Sequence, residues 1–353
     1  MKNKIRVVVW GLGAMGSGIS RMVLSKKGFT IVGAIDMDPS KVGKKLYEVL
    51  GIEANEDNSC IVTKDSKDVI KKDFADVCLM ATASFTKVVF PLIKMAAEAG
   101  MDIVTTAEEM SYPRALDPEL SDEMDKIAKE NKISILGTGV NPGFIMDLVA
   151  IMLTGVSDTV DSIKATRVND LACFGKAVMV EQGIGLKPEA FIQGVKDNTV
   201  DGHVGFLQSF GMFEEAFNIK LNNIRQEKSP IVTTLPRSTD IISVNAGEVV
   251  GCSQLGYANL GENVFVTMEH PQQIRPELEN VDTGDYITIK GVPNLNLQIK
   301  PEIPGGIATI AICVNMIPLV MNSRPGLKTM LDLPVPRAII GDVRDLVKER
   351  EVK

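Results

Sequence analysis

The first 140 residues alternate short apolar runs with amphipathic segments, and this alternation limits the possible folds more than any other feature of the sequence. The apolar runs are "IRVVVW", "TIVGAID", "DVCLMAT", "DIVTT" and "ISILGT". Segments with helical spacing separate them, including one from about Pro39 after the second run. Strands that alternate with helices are typical of βαβ units. The sequence therefore predicts an α/β fold with a doubly wound parallel sheet.

After "GTGVNPGF" the pattern becomes rich in strands, with helix-like stretches near 188–197 and 203–218. A chain of 353 residues also exceeds what one hydrophobic core usually organises. We expect a second, α+β domain over 141–306, which would hold the substrate and the dimer contact. The apolar run "GGIATIAICVNMIPLVM" predicts a buried helix, so we expect segment 307–353 to return to the first domain, over 1–140.

Composition narrows the class of protein. The net charge is −7 and the acids are spread along the chain, which disfavours nucleic acid and an anionic membrane as partners. The sequence has no run that would span a bilayer and no signal peptide, so we expect a soluble, cytoplasmic protein. The five scattered cysteines favour reduced core thiols. With only His203 and His270, and no HExxH motif, we expect no catalytic metal.

The stretch "VVVWGLGAMGSG" carries a GxGxxG motif between the first strand and the first helix. Gly11 would permit the tight turn, Gly13 would let the backbone approach a pyrophosphate, and Gly16 would let helix and strand pack closely. Ala14 and Met15 would begin the helix, whose N-terminal N–H groups bind phosphate. The motif and its context predict a Rossmann dinucleotide-binding domain.

Residues after the second and fourth strands bear on the choice of cofactor. Asp36 ends the second strand, where an acid accepts hydrogen bonds from a ribose 2′-hydroxyl, so NAD is favoured. Ser40 and Lys41 follow closely and could tolerate the 2′-phosphate of NADP, which leaves both cofactors open. Thr82 and Ser84 are candidates to line the cofactor site, although Ser84 could instead cap the following helix.

Two adjacent acids, Glu108 and Glu109, follow the strand "DIVTT" at the carboxyl edge of the sheet. A carboxylate beside a nicotinamide suits an amine substrate, because the ammonium group must lose a proton before its carbon can release a hydride. Water must then be activated to attack the resulting iminium. The alternative is that both acids only start a helix, where the macrodipole favours negative charge. Spacing does not choose between the two acids.

Polar residues farther along could bind the rest of a substrate. In "KATRVNDL", Arg167 and Asn169 are two apart and share one face of a strand, which could present a guanidinium and an amide to a carboxylate, or form a surface salt bridge. His270 ends "NVFVTMEH" and could be a pocket residue or a structural one. Asn141 precedes Pro142 in "GVNPGF", which predicts either a helix start or a residue facing substrate.

The motifs "VVVWGLGAMG", "TTAEEMSYP", "GTGVNPGF" and "TRVND" together resemble those of 2,4-diaminopentanoate dehydrogenases, which act in ornithine fermentation, and of the related native amine dehydrogenases. The resemblance covers essentially the whole chain. It implies a dihydrodipicolinate-reductase-like architecture, a homodimer, and NAD(P)-dependent oxidation of an amine with release of ammonia. For this family the substrate is 2,4-diaminopentanoate and the product is 2-amino-4-oxopentanoate.

The resemblance also implies roles for individual residues. The catalytic glutamate would be the first acid of "TAEE", Glu108, and Asn141 would lie beside the reacting carbon. The amino-acid end of the substrate would be bound by Arg167, Asn169, His270 and Thr309. It assigns no role to Glu109 or His203.

Four other classes of protein share this kind of fold or chemistry. A dihydrodipicolinate reductase would carry paired histidines, and a homoserine dehydrogenase would have "TANK" where this chain has "TAEE", so both are disfavoured. A meso-diaminopimelate dehydrogenase stays open, since it also deaminates a diamino acid. A non-catalytic protein that senses NAD with the same fold stays open as well.

Overall fold

The structure, a computed structural model, describes residues 3–348 and divides into two compact units. Unit 1 comprises the described residues of Met1–Gly143 and of Ile307–Lys353, and unit 2 is Phe144–Gly306. In the described part of the chain, no helix has the length and apolar character needed to cross a bilayer.

The elements of the chain are as follows. The first stretch contains β1 (Ile5–Trp10), α1 (Ala14–Ser25), β2 (Phe29–Ile35), α2 (Leu46–Leu50), β3 (Val62–Thr63), β4 (Val77–Met80), α3 (Thr86–Glu98), β5 (Asp102–Thr105), α4 (Pro118–Glu130) and β6 (Ser134–Gly137). The second contains α5 (Leu148–Leu153), β7 (Thr159–Asp170), α6 (Lys176–Glu181), α7 (Pro188–Lys196), α8 (Phe206–Phe217) and β8 (Asn222–Val232). It continues with β9 (Arg237–Ser238), β10 (Ser243–Val244), β11 (Val249–Leu260), β12 (Asn263–Gln273), β13 (Gly284–Val292) and β14 (Leu295–Ile299). The last stretch contains α9 (Gly305–Met321) and β15 (Gly326–Lys328).

Unit 1 is built on a seven-stranded sheet in the order β15-β6-β5-β4-β1-β2-β3. Its strand pairs are parallel. Every residue of β4, β5 and β6 is buried, as expected for strands with helices on both faces. The predicted doubly wound α/β fold is therefore confirmed.

The predicted start of the second helix, at about Pro39, is wrong. Residues 39–44 form turns, and α2 begins only at Leu46. Gly43 has a φ of 85°, a left-handed conformation that interrupts a right-handed helix. The polar run before it therefore forms a loop beside β2 instead of a helix.

Unit 2 is built on a six-stranded mixed sheet in the order β14-β13-β7-β12-β11-β8. β7 and β12 pair in parallel, and the other neighbours are antiparallel. Helices α7 and α8 cover one face, where Phe191 packs with Cys252, and a Cβ on Gly256 would lie 2.6 Å from the Phe206 ring. The predicted second α+β domain is thus confirmed, and this covered face carries the polar residues described below.

Candidate active site

The three glycines of the GxGxxG motif differ in the space around them. Gly11 has a φ of 88°, and a Cβ there would lie 2.5 Å from the Ala81 carbonyl oxygen. A Cβ on Gly16 would lie 1.7 Å from the Gly11 oxygen, so only glycine lets α1 pack this closely. Among residues 3–348, nothing lies within 4 Å of a Cβ built on Gly13, the N-cap of α1. The opening at Gly13 is what a pyrophosphate needs to approach the start of α1.

Asp36 holds the glycine turn in place. Its Oδ2 accepts a hydrogen bond of 2.6 Å from the Leu12 N–H, and its Oδ1 accepts one of 2.8 Å from the Asp38 N–H. The Lys41 Nζ lies 3.5 Å from the same Asp36 Oδ2 and donates to the Leu12 oxygen. An ionised carboxylate has further lone pairs, so Asp36 can still accept a ribose hydroxyl. Lys41 therefore places a positive charge beside the Asp36 carboxylate.

The loop between β4 and α3 lies against the glycine turn. The Thr82 Cγ2 is 3.2 Å from a Cβ built on Gly11, so Thr82 lies beside the predicted cofactor site. Ser84 does not cap α3, whose N-cap is Phe85, so that alternative is wrong. The Thr86 N–H instead donates to the Glu109 Oε2 at 2.7 Å. A carboxylate from another loop therefore caps this helix, and the neighbouring Ser84 oxygen accepts the Glu109 N–H.

The two adjacent acids lie in the same short helix. Both are half-buried and begin the 3-10 helix Glu108–Ser111, directly after β5. Glu109 is held by its bond to α3, and the segment as a whole is held against β6, because a Cβ on Gly137 would lie 2.2 Å from the Met110 carbonyl. The carboxylate of Glu109 thus stabilises the N-terminal end of α3.

The loop that contains Asn141 is held by α9. Thr309 on α9 accepts the Val140 N–H at 3.3 Å, and the Cys313 Sγ lies 3.6 Å from the Thr138 oxygen. Thr309, which the resemblance places at the amino-acid end, belongs to unit 1, and its hydroxyl is bonded to Val140, the residue before Asn141. The helix start expected at Pro142 is wrong: α5 begins at Leu148 with Asp147 as its N-cap. Gly143, with a φ of 114°, interrupts the segment.

In unit 2, polar side chains cross the covered face of the sheet. Register pairs Asp285 on β13 with Arg167 on β7, Gln254 on β11 with His270 on β12, and Lys228 on β8 with Gln254. β7 and β12 pair through Glu269 and Thr166, which places His270 beside Arg167 one residue further on. We call the set Asp285, Arg167, His270, Gln254 and Lys228 the polar row.

The polar row is internally bonded. Arg167 is 2% exposed, pairs closely with Asp285 through its Nη1, and donates from Nη2 to the Ile303 oxygen at 2.6 Å. The His270 Nδ1 lies 2.8 Å from the Arg167 carbonyl oxygen. Because a carbonyl only accepts, this nitrogen carries the proton, and a neutral His270 then has Nε2 as an acceptor. The structure places Arg167 and His270 on one face of the sheet, and the sequence analysis did not include Asp285, the partner of Arg167.

His203 packs on the polar row. Its ring centroid lies 4.7 Å from that of His270, at an interplanar angle of 76°. The Gln254 side chain accepts the His203 N–H at 2.8 Å and donates to the His203 oxygen at 3.0 Å. Burial, with the charges of Arg167 and Lys228, lowers the pKa of His203 to about 3. Burial, His203 and Arg167 also hold the pKa of His270 well below its usual value, so both rings are neutral near pH 7.

Asn169 lies on the same face one row further along β7. Its register partner on β12 is Gln272, and the two are 3% and 5% exposed. Within the described part of the chain, the Asn169 Oδ1 and the Gln272 Nε2 have no hydrogen-bond partner. Among residues 3–348, no group of three or more His, Cys, Asp and Glu side chains is placed to hold a metal ion.

Comparison with known proteins links both units to one kind of enzyme. The model of the 2,4-diaminopentanoate dehydrogenase C-terminal domain matches residues 144–349, and that of the dihydrodipicolinate reductase N-terminus matches residues 5–135. Over 347 residues the chain is 48% identical to 2,4-diaminopentanoate dehydrogenase from Acetoanaerobium sticklandii, which covers 98% of this chain and 98% of that protein.

Two more distant relatives are named as amine dehydrogenases. The chain is 23% identical over 365 residues to an amine dehydrogenase from Streptomyces virginiae, covering 95% of this chain and 98% of that one. The structure of an amine dehydrogenase from Mycobacterium smegmatis is similar with a TM-score of 0.85 and 27% identity, over 94% of this chain and 97% of that chain. The likeness therefore extends across both units.

Proposed function

We propose that this chain, which belongs to the 2,4-diaminopentanoate dehydrogenase family, oxidises the 4-amino group of 2,4-diaminopentanoate. The reaction consumes water and oxidised NAD or NADP, and it yields 2-amino-4-oxopentanoate, ammonia and the reduced cofactor. The observation that carries this proposal is the 48% identity over 98% of the chain to a 2,4-diaminopentanoate dehydrogenase. Nothing in the polar row alone would select this diamine.

We assign the two units different tasks. Unit 1 holds the dinucleotide, with the pyrophosphate at Gly13, Ala14 and Met15 and a ribose at Asp36, and it supplies Glu108. Unit 2 binds the amino-acid end of the substrate. The open space at Gly13 and the match of residues 5–135 to a reductase N-terminus support the first assignment. The match of residues 144–349 to a dehydrogenase C-terminal domain supports the second.

For the chemical step, the bound nicotinamide supplies the hydride acceptor. Glu108 would hold the substrate ammonium and take its proton, which leaves an amine that can release hydride and become an iminium. The same carboxylate group, after passing on that proton, would deprotonate the attacking water, and the carbinolamine would then collapse to ketone and ammonia. Asn141, whose loop is bonded to α9 through Val140 and Thr309, would position the reacting carbon.

At the amino-acid end, substrate would be bound by Arg167, Asn169, His270 and Thr309. A guanidinium has five N–H donors, so its bonds to Asp285 and Ile303 leave Arg167 able to bind a carboxylate as well. His270 would accept a hydrogen bond from the 2-ammonium group at Nε2. Fixing this end decides which distal carbon can react, so binding here would set both the rate and the regiochemistry.

We also propose that both NAD and NADP serve, with NAD preferred. Asp36 repels a 2′-phosphate, whereas Lys41, 3.5 Å from it, offsets part of that charge. From the family resemblance we also propose a homodimer that acts in the cytoplasm. Size-exclusion chromatography with light scattering and cell fractionation test these two statements.

A panel of amines tests the proposed function. Initial rates are followed by absorbance of the reduced cofactor, with NAD and with NADP, for 2,4-diaminopentanoate, meso-diaminopimelate and simple 2-aminoalkanes. We expect the highest kcat/KM for 2,4-diaminopentanoate. A higher kcat/KM for meso-diaminopimelate, or turnover of simple amines alone, would refute the assignment. Absence of turnover with retained NAD binding would favour a sensor.

A further inference from the structure

On the covered face of the unit 2 sheet, two register partners each have a buried polar atom that forms no hydrogen bond among residues 3–348. They are the Oδ1 of Asn169, an acceptor, and the Nε2 of Gln272, a donor. Their residues are register partners on β7 and β12, and both are at least nine-tenths buried. Strands lie about 4.8 Å apart, so the two side chains start as close neighbours. Buried polar atoms in folded proteins nearly always have a partner, so a pair of adjacent exceptions calls for one.

The two atoms also fail to satisfy each other, although one donates and the other accepts. In the described part of the chain neither forms a hydrogen bond within 3.5 Å, so a donor and an acceptor on adjacent strands are both left unsatisfied. The pair adjoins the polar row, because Arg167 and His270 each lie two residues before Asn169 and Gln272 on the same strands. A group that satisfies both must present an acceptor and a donor side by side.

We propose that Gln272 is a specificity-determining residue, whose Nε2–H donates to the substrate carboxylate while the neighbouring Asn169 Oδ1 accepts from the 2-ammonium group. An α-amino carboxylate carries these two groups on adjacent atoms, which matches the donor and acceptor on adjacent strands. Gln272 has no assigned role in the proposed function, and this inference rests on that function.

The adjacent residue Gln273 provides a matched control. Its side chain points to the other face, where its Oε1 accepts the Arg237 Nη1–H at 2.9 Å, inside a buried group of hydrogen bonds. Methionine is close to glutamine in size and shape. The substitution Gln273→Met therefore removes a hydrogen bond that exists in the protein without substrate. The substitution Gln272→Met removes a donor that, in our proposal, is bonded only when substrate is present.

The variants are compared by KM for 2,4-diaminopentanoate, by the Ki of 2-aminopentanoate, and by melting temperature without substrate. The analogue 2-aminopentanoate keeps the amino-acid end and lacks the reacting amine. For Gln272→Met we expect KM and Ki to rise about tenfold or more, with kcat within about twofold and an unchanged or higher melting temperature. For Gln273→Met we expect a lower melting temperature and an unchanged Ki.

A second variant, Gln272→Glu, keeps the shape and places an acceptor where the donor was. We expect it to raise Ki further than Gln272→Met, because a carboxylate would repel the substrate carboxylate. With 2,4-diaminopentane, which lacks the carboxylate, Gln272→Met should leave KM within about twofold of the unaltered enzyme.

Some outcomes would overturn the proposal. A Ki for 2-aminopentanoate that stays unchanged in both Gln272 variants would show that the amide does not contact substrate, for example because a buried water binds it instead. A fall in melting temperature in Gln272→Met with no change in Ki would show a purely structural amide. If the unaltered enzyme does not oxidise 2,4-diaminopentanoate at all, the proposed function fails first, and that result is seen before any variant is made.

Discussion

The mechanism is tested most directly by the different roles proposed for Glu108, as the base, and for Glu109, as a helix cap. Glu109→Ala removes the acceptor of the Thr86 N–H, whose bond measures 2.7 Å. Loss of a helix cap costs roughly 0.5–2 kcal/mol, and because Thr86 is 3% exposed we expect the upper half of that range. The melting temperature should fall by a few degrees, while kcat should stay within about threefold. Glu109→Gln should restore stability, because its amide oxygen can still accept the bond.

Glu108→Gln should behave in the opposite way. The shape of the side chain is kept but the base is lost, and general base catalysis contributes about 10²–10⁴-fold. We therefore expect kcat to fall by that factor, which corresponds to about 3–5 kcal/mol of activation free energy. The melting temperature and the affinity for NAD should be unchanged.

The assay combines kcat by reduced-cofactor absorbance, NAD binding by fluorescence titration and melting by differential scanning fluorimetry, on all three variants and the unaltered enzyme. The assignment is refuted if Glu108→Gln keeps a third or more of the kcat. It is also refuted if Glu109→Ala and Glu109→Gln both lose turnover as fully as Glu108→Gln while their stability is unchanged. That second result would make Glu109 the base and its bond to α3 incidental.

Three other predictions concern the cofactor turn and the histidine pair. Lys41→Ala should raise the NAD:NADP ratio of kcat/KM, because the charge 3.5 Å from Asp36 is lost, and an unchanged ratio would contradict this. Gly16→Ala should destabilise by about 1–3 kcal/mol and abolish NAD binding, since its Cβ would lie 1.7 Å from a backbone oxygen. His203, with its pKa lowered from 6.5 to about 3, binds fewer protons folded than unfolded, so stability should fall as pH drops through that range. In urea unfolding, His203→Gln should show a smaller loss between pH 7.5 and pH 5 than the unaltered enzyme.

Local features of the chain were predictable from the sequence. The glycine spacing, the alternation of apolar runs and the strands of unit 2 follow from neighbours within a few residues, and they gave the fold class and the turn at Gly11. The start of α2 was missed because the conformation of Gly43, not the apolar pattern, decides where that loop ends. Short-range patterns thus predicted the fold class but not the first residue of every helix.

The partners of the site residues were not predictable in the same way. Glu109 caps a helix 23 residues earlier in the chain, and such a bond exists only after β4 and β5 have paired. Resemblance, not spacing, selected Glu108. Asp285 is a partial exception: it precedes Ile287 and Ile289 at period two, which is enough to place it on the buried face of β13. Its pairing with Arg167 still depends on the register of two strands that lie far apart in the chain.

The polar row has a consequence for anyone who redesigns this protein for other amines. Each of its five members comes from a different strand, so the row exists only when all five strands are aligned. A slip of one residue in β7 would turn Arg167 outwards and bring Thr166 or Val168 into its place. The residues of the polar row therefore favour one register of the sheet over its neighbours. Replacing several of them at once to change the substrate would also weaken the preference for that strand alignment.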